Sequence, residues 1–203
     1  SSDVCSSDLI SSMFSNEGQE NSLYELVRHR RSIRRYTGEK VPDDTVREIL
    51  KIALLAPSSW GRHPVEFVIL RDRETIEAVA RCKRMGAGPL PMADVAIVVM
   101  ADTADCELWI EDAAIASTYI LLAAEEFGVG ACWIHMRNRQ GQRKSADEEI
   151  RQILGVPDNF SVLNVVALGQ KGEKKSARTE KDLVWQNVHA GHYGQKGDFI
   201  GKE

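Results

Sequence analysis

The segment Ala113-Ala114-Ile115-Ala116-Ser117-Thr118-Tyr119-Ile120-Leu121-Leu122-Ala123-Ala124 constrains the fold more than any other part of the chain, because it carries no charge on any helical face. Its flanks predict one long helix from Glu107 to Phe127, with Gly128 where a C-capping glycine ends helices. A helix that is apolar nearly all round is either buried on most sides or pressed against a second subunit, so this one favours an oligomer. It is too short, and too interrupted by Ser117 and Thr118, to cross a bilayer. No membrane-spanning segment is expected elsewhere.

The remaining periodicities surround that helix with mixed structure. Leu23, Leu26 and Val27 form a short helical stripe. Val46, Ile49, Leu50, Ala53 and Leu54 form a longer one after the helix-start residues Pro42, Asp43 and Asp44, and Pro57 ends it. Asp72 opens another amphipathic helix carrying Ile76, Val79 and Ala80, and a short helix runs from Asp147 to Leu154. Val65 to Leu70, Val95 to Met100, Val129 to Met136 and Val162 to Leu168 read as strands. Gly86, Gly88, Pro89 and Pro91 mark a loop. Interleaved helices and about four strands argue α/β or α+β. The strict doubly wound pattern is not met, since two helices precede the first strand and no glycine fingerprint follows it. A chain of 203 residues, 43% hydrophobic, is expected to build one core. The organisation expected is a leader or disordered N-terminus over 1–20, one domain over 21–195 and a tail over 196–203. Leu183, Trp185, Val188 and Tyr193 are too apolar to be simply solvated.

Charge narrows the function. Acidic residues outnumber basic ones, 30 to 26, yet Arg28, Arg30, Arg31, Arg34 and Arg35 crowd into a single turn and its extension. Guanidinium groups match phosphate and carboxylate oxygens, so an anion site is one reading. A basic surface run at a helix C-terminus, where cations suit the dipole, is the other. The patch is too small to track a phosphodiester backbone, so no nucleic-acid partner is expected. The 4 cysteines lack C-x-x-C pairing and the 5 histidines do not approach them at ligand spacing, which points to a cytoplasmic protein with free thiols and no metal. Gly128-Val129-Gly130-Ala131-Cys132-Trp133 begins like a dinucleotide fingerprint but enters a strand, and Walker, H-E-x-x-H and G-x-S-x-G motifs are absent. Four pieces remain: the arginine cluster, a Ser58-Ser59 elbow, a glycine turn before a late strand, and a basic patch at Lys171, Lys174, Lys175 and Arg178. Together they suit a small ligand with an anionic tail and a polar ring.

Four of these motifs, in order and spacing, resemble the FMN-dependent nitroreductase family: Arg30-Arg31-Ser32-Ile33-Arg34-Arg35-Tyr36, Ala56 to Phe67, Phe127 to Ile134, and Val166-Ala167-Leu168-Gly169. The resemblance runs from about Leu23 to Tyr193. It implies an α+β fold with a mixed central sheet of about four or five strands flanked by helices, and a homodimer with a long interface helix and FMN clefts made by both subunits. By position, Arg30, Arg31, Ser32 and Arg34 would hold the FMN phosphate and ribityl chain, with Lys175 and Arg178 completing the site. Pro57, Ser58 and Ser59 of the other subunit would line the ring, and Ala131, Cys132, Trp133 and Ile134 would lie against flavin N5. Trp60, Arg62 and His63 would reach toward substrate, and the cofactor would carry the chemistry without a catalytic side chain. Arg28 and Arg35 keep the surface role.

The implied activity is hydride transfer from NAD(P)H through FMN to a small acceptor such as a nitroaromatic or quinone. Departures from the family pattern are Gly61 in place of a common Asn, His63-Pro64-Val65 in place of Gln-Pro-Trp, and Gln170-Lys171 in place of Tyr-Pro. A dehalogenase or flavin-converting enzyme of the same fold, a flavin carrier or sensor, and a module binding a phosphorylated partner are the alternatives.

Overall fold

The computed structural model describes residues 22–197 except Asp105. Among these described residues five α-helices and four strands follow in order: α1 (Ser22–His29), α2 (Asp43–Leu54), β1 (Val65–Leu70), α3 (Arg73–Arg81), β2 (Val95–Asp102), α4 (Trp109–Glu126), β3 (Val129–His135), α5 (Ala146–Leu154) and β4 (Phe160–Gln170). The leader expected over 1–20 and most of the tail over 196–203 lie outside the described residues.

Why β2 and β4 are continuous apolar runs follows from their place in the sheet. The strand order is β1-β2-β4-β3, so these two strands are central and helices cover both their faces. On one face Ile76, Val79, Val98, Ile134, Ile150 and Val165 pack under α3 and α5. On the other, Ile49, Ile97, Val99, Ile120, Val166 and Leu168 pack under α2 and α4. Alternate residues of each strand serve opposite cores, which leaves no face to be polar. All three strand pairings are antiparallel. The expectation of a mixed sheet is met only by one parallel bridge, Ser32 to Ala131, at the outer edge of β3.

Local signals set the helix ends. Asp72 accepts the Thr75 amide at 2.8 Å, and Ser145 and Glu148 form a reciprocal capping box on α5. The Gly86–Pro91 loop contains a short turn of 3₁₀ helix, Leu90–Met92, that Leu90 anchors in the core. In β4 the register shifts opposite Val99 and Met100, and the displaced Leu163 carbonyl accepts the amides of Met136 and Arg137 at 2.9 and 3.0 Å.

Helix α4 is covered on two sides, yet Ile115 and Thr118 stay exposed and Leu122 half-buried, one turn apart along a single face. Within one chain the all-round burial that its composition demands is therefore incomplete. The segment after β4 runs back over α1: the Arg178 amide donates to the Arg28 carbonyl at 2.9 Å, and Tyr24 Oη donates to Glu180 at 2.5 Å. Along it Leu183, Trp185 and Val188 are exposed, and Tyr193 is 92% exposed.

Candidate active site at the β3 edge

The arginine-rich segment sits where it does because two glycines let it. After α1 the chain turns alongside β3, where the Ile33 amide donates to the Ala131 carbonyl at 2.9 Å. It then crosses to the end of β4, where the Thr37 amide donates to the Gln170 carbonyl at 3.0 Å. Ile33 lies so close to Gly130, and the Tyr36 ring so close to Gly169, that a Cβ on either glycine would stand 2.9 Å or 2.7 Å from those side chains. Tyr36 is held there by donating from its hydroxyl to the Ile33 and Ala167 carbonyls, at 2.9 and 3.2 Å. Burial pushes its phenol far above the ordinary range, so it remains a donor. Three of the four sequence motifs thus meet at one seam.

The seam presents the cations together. Arg30, Arg31, Ser32, Arg34, Lys175 and Arg178 line one cavity of about 200 Å³ whose lining is almost wholly polar. Lys175 Nζ donates to the Ser32 carbonyl at 2.7 Å and pairs with Glu173 at 3.5 Å. Glu173 also accepts the Arg34 amide at 2.6 Å. That amide, then the Lys175 charge, hold its carboxyl below the usual carboxylate range. Arg31 donates to the Ser176 carbonyl. The guanidinium groups of Arg30 and Arg34 have no hydrogen bond or ion pair among the described residues. Arg28, by contrast, pairs with Glu25 at 2.9 Å and donates from Nε to the Arg178 carbonyl at 3.0 Å, so it lies outside the cavity but ties down one of its cations rather than being a plain surface charge. Lys171 is taken by Glu125 at 2.8 Å, and Lys174 is exposed and does not line the cavity. Of the basic patch, Lys175 and Arg178 alone reach it.

The strand beside this cradle offers backbone donors. Because the Ala131 carbonyl faces outward to Ile33, the two-residue period of an antiparallel edge also turns the Trp133 and His135 backbone groups outward, away from β4. Cys132 and Ile134 point into the opposite core, both buried. Burial pushes the Cys132 thiol up, against the pull of Arg34 and Lys175. The cysteine is a packed side chain, and only its backbone neighbours reach the edge.

The Ser58–His63 elbow lies in separate cavities. Pro57, Ser58 and His63 line one of about 440 Å³ with Leu54, Leu55 and Phe67. Ser59, Trp60 and Arg62 line another of about 300 Å³ with Cys106, Glu107 and Leu108. The elbow is bent into left-handed backbone at Trp60 (φ 55°), Gly61 (φ 63°) and His63 (φ 49°). For the two non-glycine residues that conformation costs about 1–3 kcal/mol each unless the surroundings impose it. Asp112, in the first turn of α4 and 3% exposed, supplies the hold. Its carboxylate accepts from the Ser59 amide at 2.9 Å, Ser59 Oγ at 2.6 Å and Cys106 Sγ at 3.5 Å. The His63 amide donates to Ser58 Oγ at 2.9 Å. Trp60 stands 90% exposed at the tip. Sequence reading missed Asp112; its signal was an acidic pair, Glu111 and Asp112, opening a helix that is uncharged for the next twelve residues.

A basic cradle and outward-facing amides lie together on the edge of an antiparallel sheet between two helical layers, an arrangement whose chemistry suits an elongated ligand with an anionic end. Comparison with known proteins agrees. The chain matches the nitroreductase family model over residues 27–103 and 90–170, and it belongs to that family. An Archaeoglobus fulgidus protein provisionally named NADH dehydrogenase/NAD(P)H nitroreductase is 36% identical over 155 residues, covering 74% of this chain and 86% of that one. An FMN-dependent nitroreductase from Clostridium difficile superposes with a TM-score of 0.81 at 40% identity, covering 83% of this chain and 98% of that one. A Bacteroides fragilis nitroreductase with bound FMN gives a TM-score of 0.65 at 25% identity, covering 80% and 96%. No described helix is long and apolar enough to cross a membrane.

Proposed function

We propose that this chain binds FMN along the β3 edge and uses it to pass hydride from NAD(P)H to a small oxidised acceptor such as a nitroaromatic or a quinone. As a member of the nitroreductase family it is an NAD(P)H-dependent flavin oxidoreductase with FMN as cofactor. The observation that carries the residue-level reading is the convergence of Arg30, Arg31, Ser32, Arg34, Lys175 and Arg178 on one polar cavity. Five cations, two of them with unengaged guanidinium groups, and one hydroxyl fit a phosphate dianion in both charge and donor geometry. When bound, FMN supplies the redox chemistry, taking up hydride from one substrate and giving it to the next.

The protein's part is positioning. Arg30 and Arg34 neutralise the phosphate, while Lys175, fixed between the Ser32 carbonyl and Glu173, keeps the loop after β4 closed against the cradle. The outward amides of Trp133 and His135 offer donors to the ring, and Cys132 and Ile134 seal the sheet beneath. A second copy of the chain supplies Pro57, Ser58 and Ser59 from its elbow and covers the exposed face of α4. The incompletely covered Ile115 and the exposed Leu183, Trp185 and Val188 support that dimer. The free thiols among the described residues, Cys82, Cys106 and Cys132, are all buried and accord with a reducing cytoplasmic setting.

The test is spectroscopic. Purified protein should be yellow, and anaerobic NADH or NADPH should bleach its flavin absorbance, with recovery on adding a quinone. A colourless protein that leaves FMN fluorescence unquenched overturns the flavin reading. A yellow protein that neither nicotinamide bleaches is a flavin carrier.

A further inference from the structure

Beyond Cys132 from the cradle lies a second concentration of positive charge. Lys83, in the loop after α3, lines a cavity of about 470 Å³ with Arg81, Arg84, Met85 and Gln142. One acid stands at its rim, Glu77, and Arg73 engages that carboxylate at 2.9 Å. The walls are two loops tied to each other. Arg84 Nε donates to the Gly141 carbonyl at 2.8 Å, the Arg84 amide to the Gln140 carbonyl at 3.2 Å, and Gln142 Nε2 to the Arg81 carbonyl at 3.0 Å.

Lys83 connects this cavity to the β3 edge. Its ammonium is close enough to Arg139, to His135 and to Cys132 for each pair to interact electrostatically. Burial and then Arg139 hold Lys83 below its ordinary value. Burial, Arg139, Lys83 and Arg137 do the same to His135. No carboxylate is among the groups that shift Lys83, and its Nζ has no hydrogen bond or ion pair among the described residues. In a chain with a net charge of -4 there are acids enough to pair with it. Cations packed together without a counter-charge repel, and a bound anion relieves that repulsion. The cavity has the volume of a small-molecule site.

We propose that Lys83, with Arg81 and Arg84 at the same cavity wall, forms a second anion subsite, distinct from the FMN cradle, that receives the 2′-phosphate of NADPH. The assignment rests on the oxidoreductase reading above. A phosphate monoester carries about -1.5 to -2 charges at pH 7, a denser charge than either diester phosphate of the pyrophosphate, and suits several unpaired cations in one place. An arginine near the ribose is the general device by which nucleotide sites accept the 2′-phosphate.

Calorimetric titration of the purified full chain with 2′,5′-ADP and with 5′-AMP tests the subsite without reference to turnover. Wild type should bind 2′,5′-ADP at least tenfold more tightly than 5′-AMP, Lys83→Gln and Arg81→Gln should each collapse that ratio toward one, and Lys83→Arg should restore it. Equal binding of the two nucleotides by wild type, or a ratio unchanged in both Gln variants, overturns the proposal. In steady-state assays the KM for NADPH of Lys83→Gln should rise about tenfold more than that for NADH; parallel changes count against it. FMN content, read from flavin absorbance on the same samples, separates the two readings. If wild type takes up no FMN the oxidoreductase reading fails, and the nucleotide preference alone decides the subsite.

Discussion

Gly169→Ala tests how the cradle is built. The added methyl would stand 2.7 Å from Cγ and Cδ1 of the Tyr36 ring and 2.9 Å from its Cβ. The ring cannot swing away cheaply, because its hydroxyl is tied to the Ile33 and Ala167 carbonyls and its backbone bridges to Lys171. Overpacking of this kind costs about 1–3 kcal/mol. If the ring shifts far enough to break both hydrogen bonds, about 0.5–1.5 kcal/mol is lost for each. The sum, about 1–6 kcal/mol, corresponds to a melting-temperature drop of roughly 2–24 °C at about 2–4 °C per kcal/mol. Because Ser32 and Arg34 ride on the same segment, FMN affinity should fall together with stability. Thermal unfolding by circular dichroism and FMN titration by fluorescence quenching measure the two effects. An alanine variant that melts within 1 °C of wild type and binds FMN normally would refute the seam as described.

Three further outcomes are expected. Arg30→Ala removes a charge-assisted phosphate contact worth about 1.5–3 kcal/mol, about ten- to a hundredfold in FMN affinity, whereas Lys171→Ala, whose ammonium is held by Glu125 outside the cavity, should leave it within twofold; fluorescence quenching reads both. Asp112→Ala strands the half-buried Ser59 amide and frees the strained elbow, so stability should fall by about 1–3 kcal/mol in urea titration and proteolysis should begin near Trp60. Glu173, whose folded value is depressed, contributes stability that is present above its unfolded value of about 4.3 and is lost as pH falls through the folded one. FMN release below that pH should be steeper in wild type than in Glu173→Gln, and identical profiles would show that Glu173 does not hold the loop.

Much of this architecture was legible in the sequence because its signals are local. Four apolar runs gave four strands within a few residues of their observed ends, and the chargeless stretch within Glu107–Phe127 marked the long helix. The arginine cluster was legible as one motif in register with those around Gly130 and Gly169, and the structure supplies the physical reason for that company: both glycines make room for its segment. What escaped notice depends on contacts between distant residues. Antiparallel pairing throughout the sheet follows from connections that strand periodicity does not encode. Asp112 reaches Ser59 across 53 positions, and nothing near it in sequence shows which backbone it will hold. The choice of Lys175 and Arg178 over Lys171 depends on Glu125, which pairs with Lys171 from the far end of α4. Trp60 and His63 adopt left-handed backbone against their own preference, and such strain is invisible until the surrounding structure is known.

The central claim is that the cavity lined by Arg30, Arg31, Ser32, Arg34, Lys175 and Arg178 holds the phosphate of FMN. Riboflavin carries the same ring without that phosphate, so parallel fluorescence-quenching titrations of the flavin-free protein with FMN and with riboflavin isolate the contribution of the cradle. FMN should bind at least a hundredfold more tightly, a difference of about 2.7 kcal/mol or more, and the gap should narrow by about ten- to a hundredfold in Arg30→Ala. Equal affinities for the two flavins would contradict the assignment of this cavity.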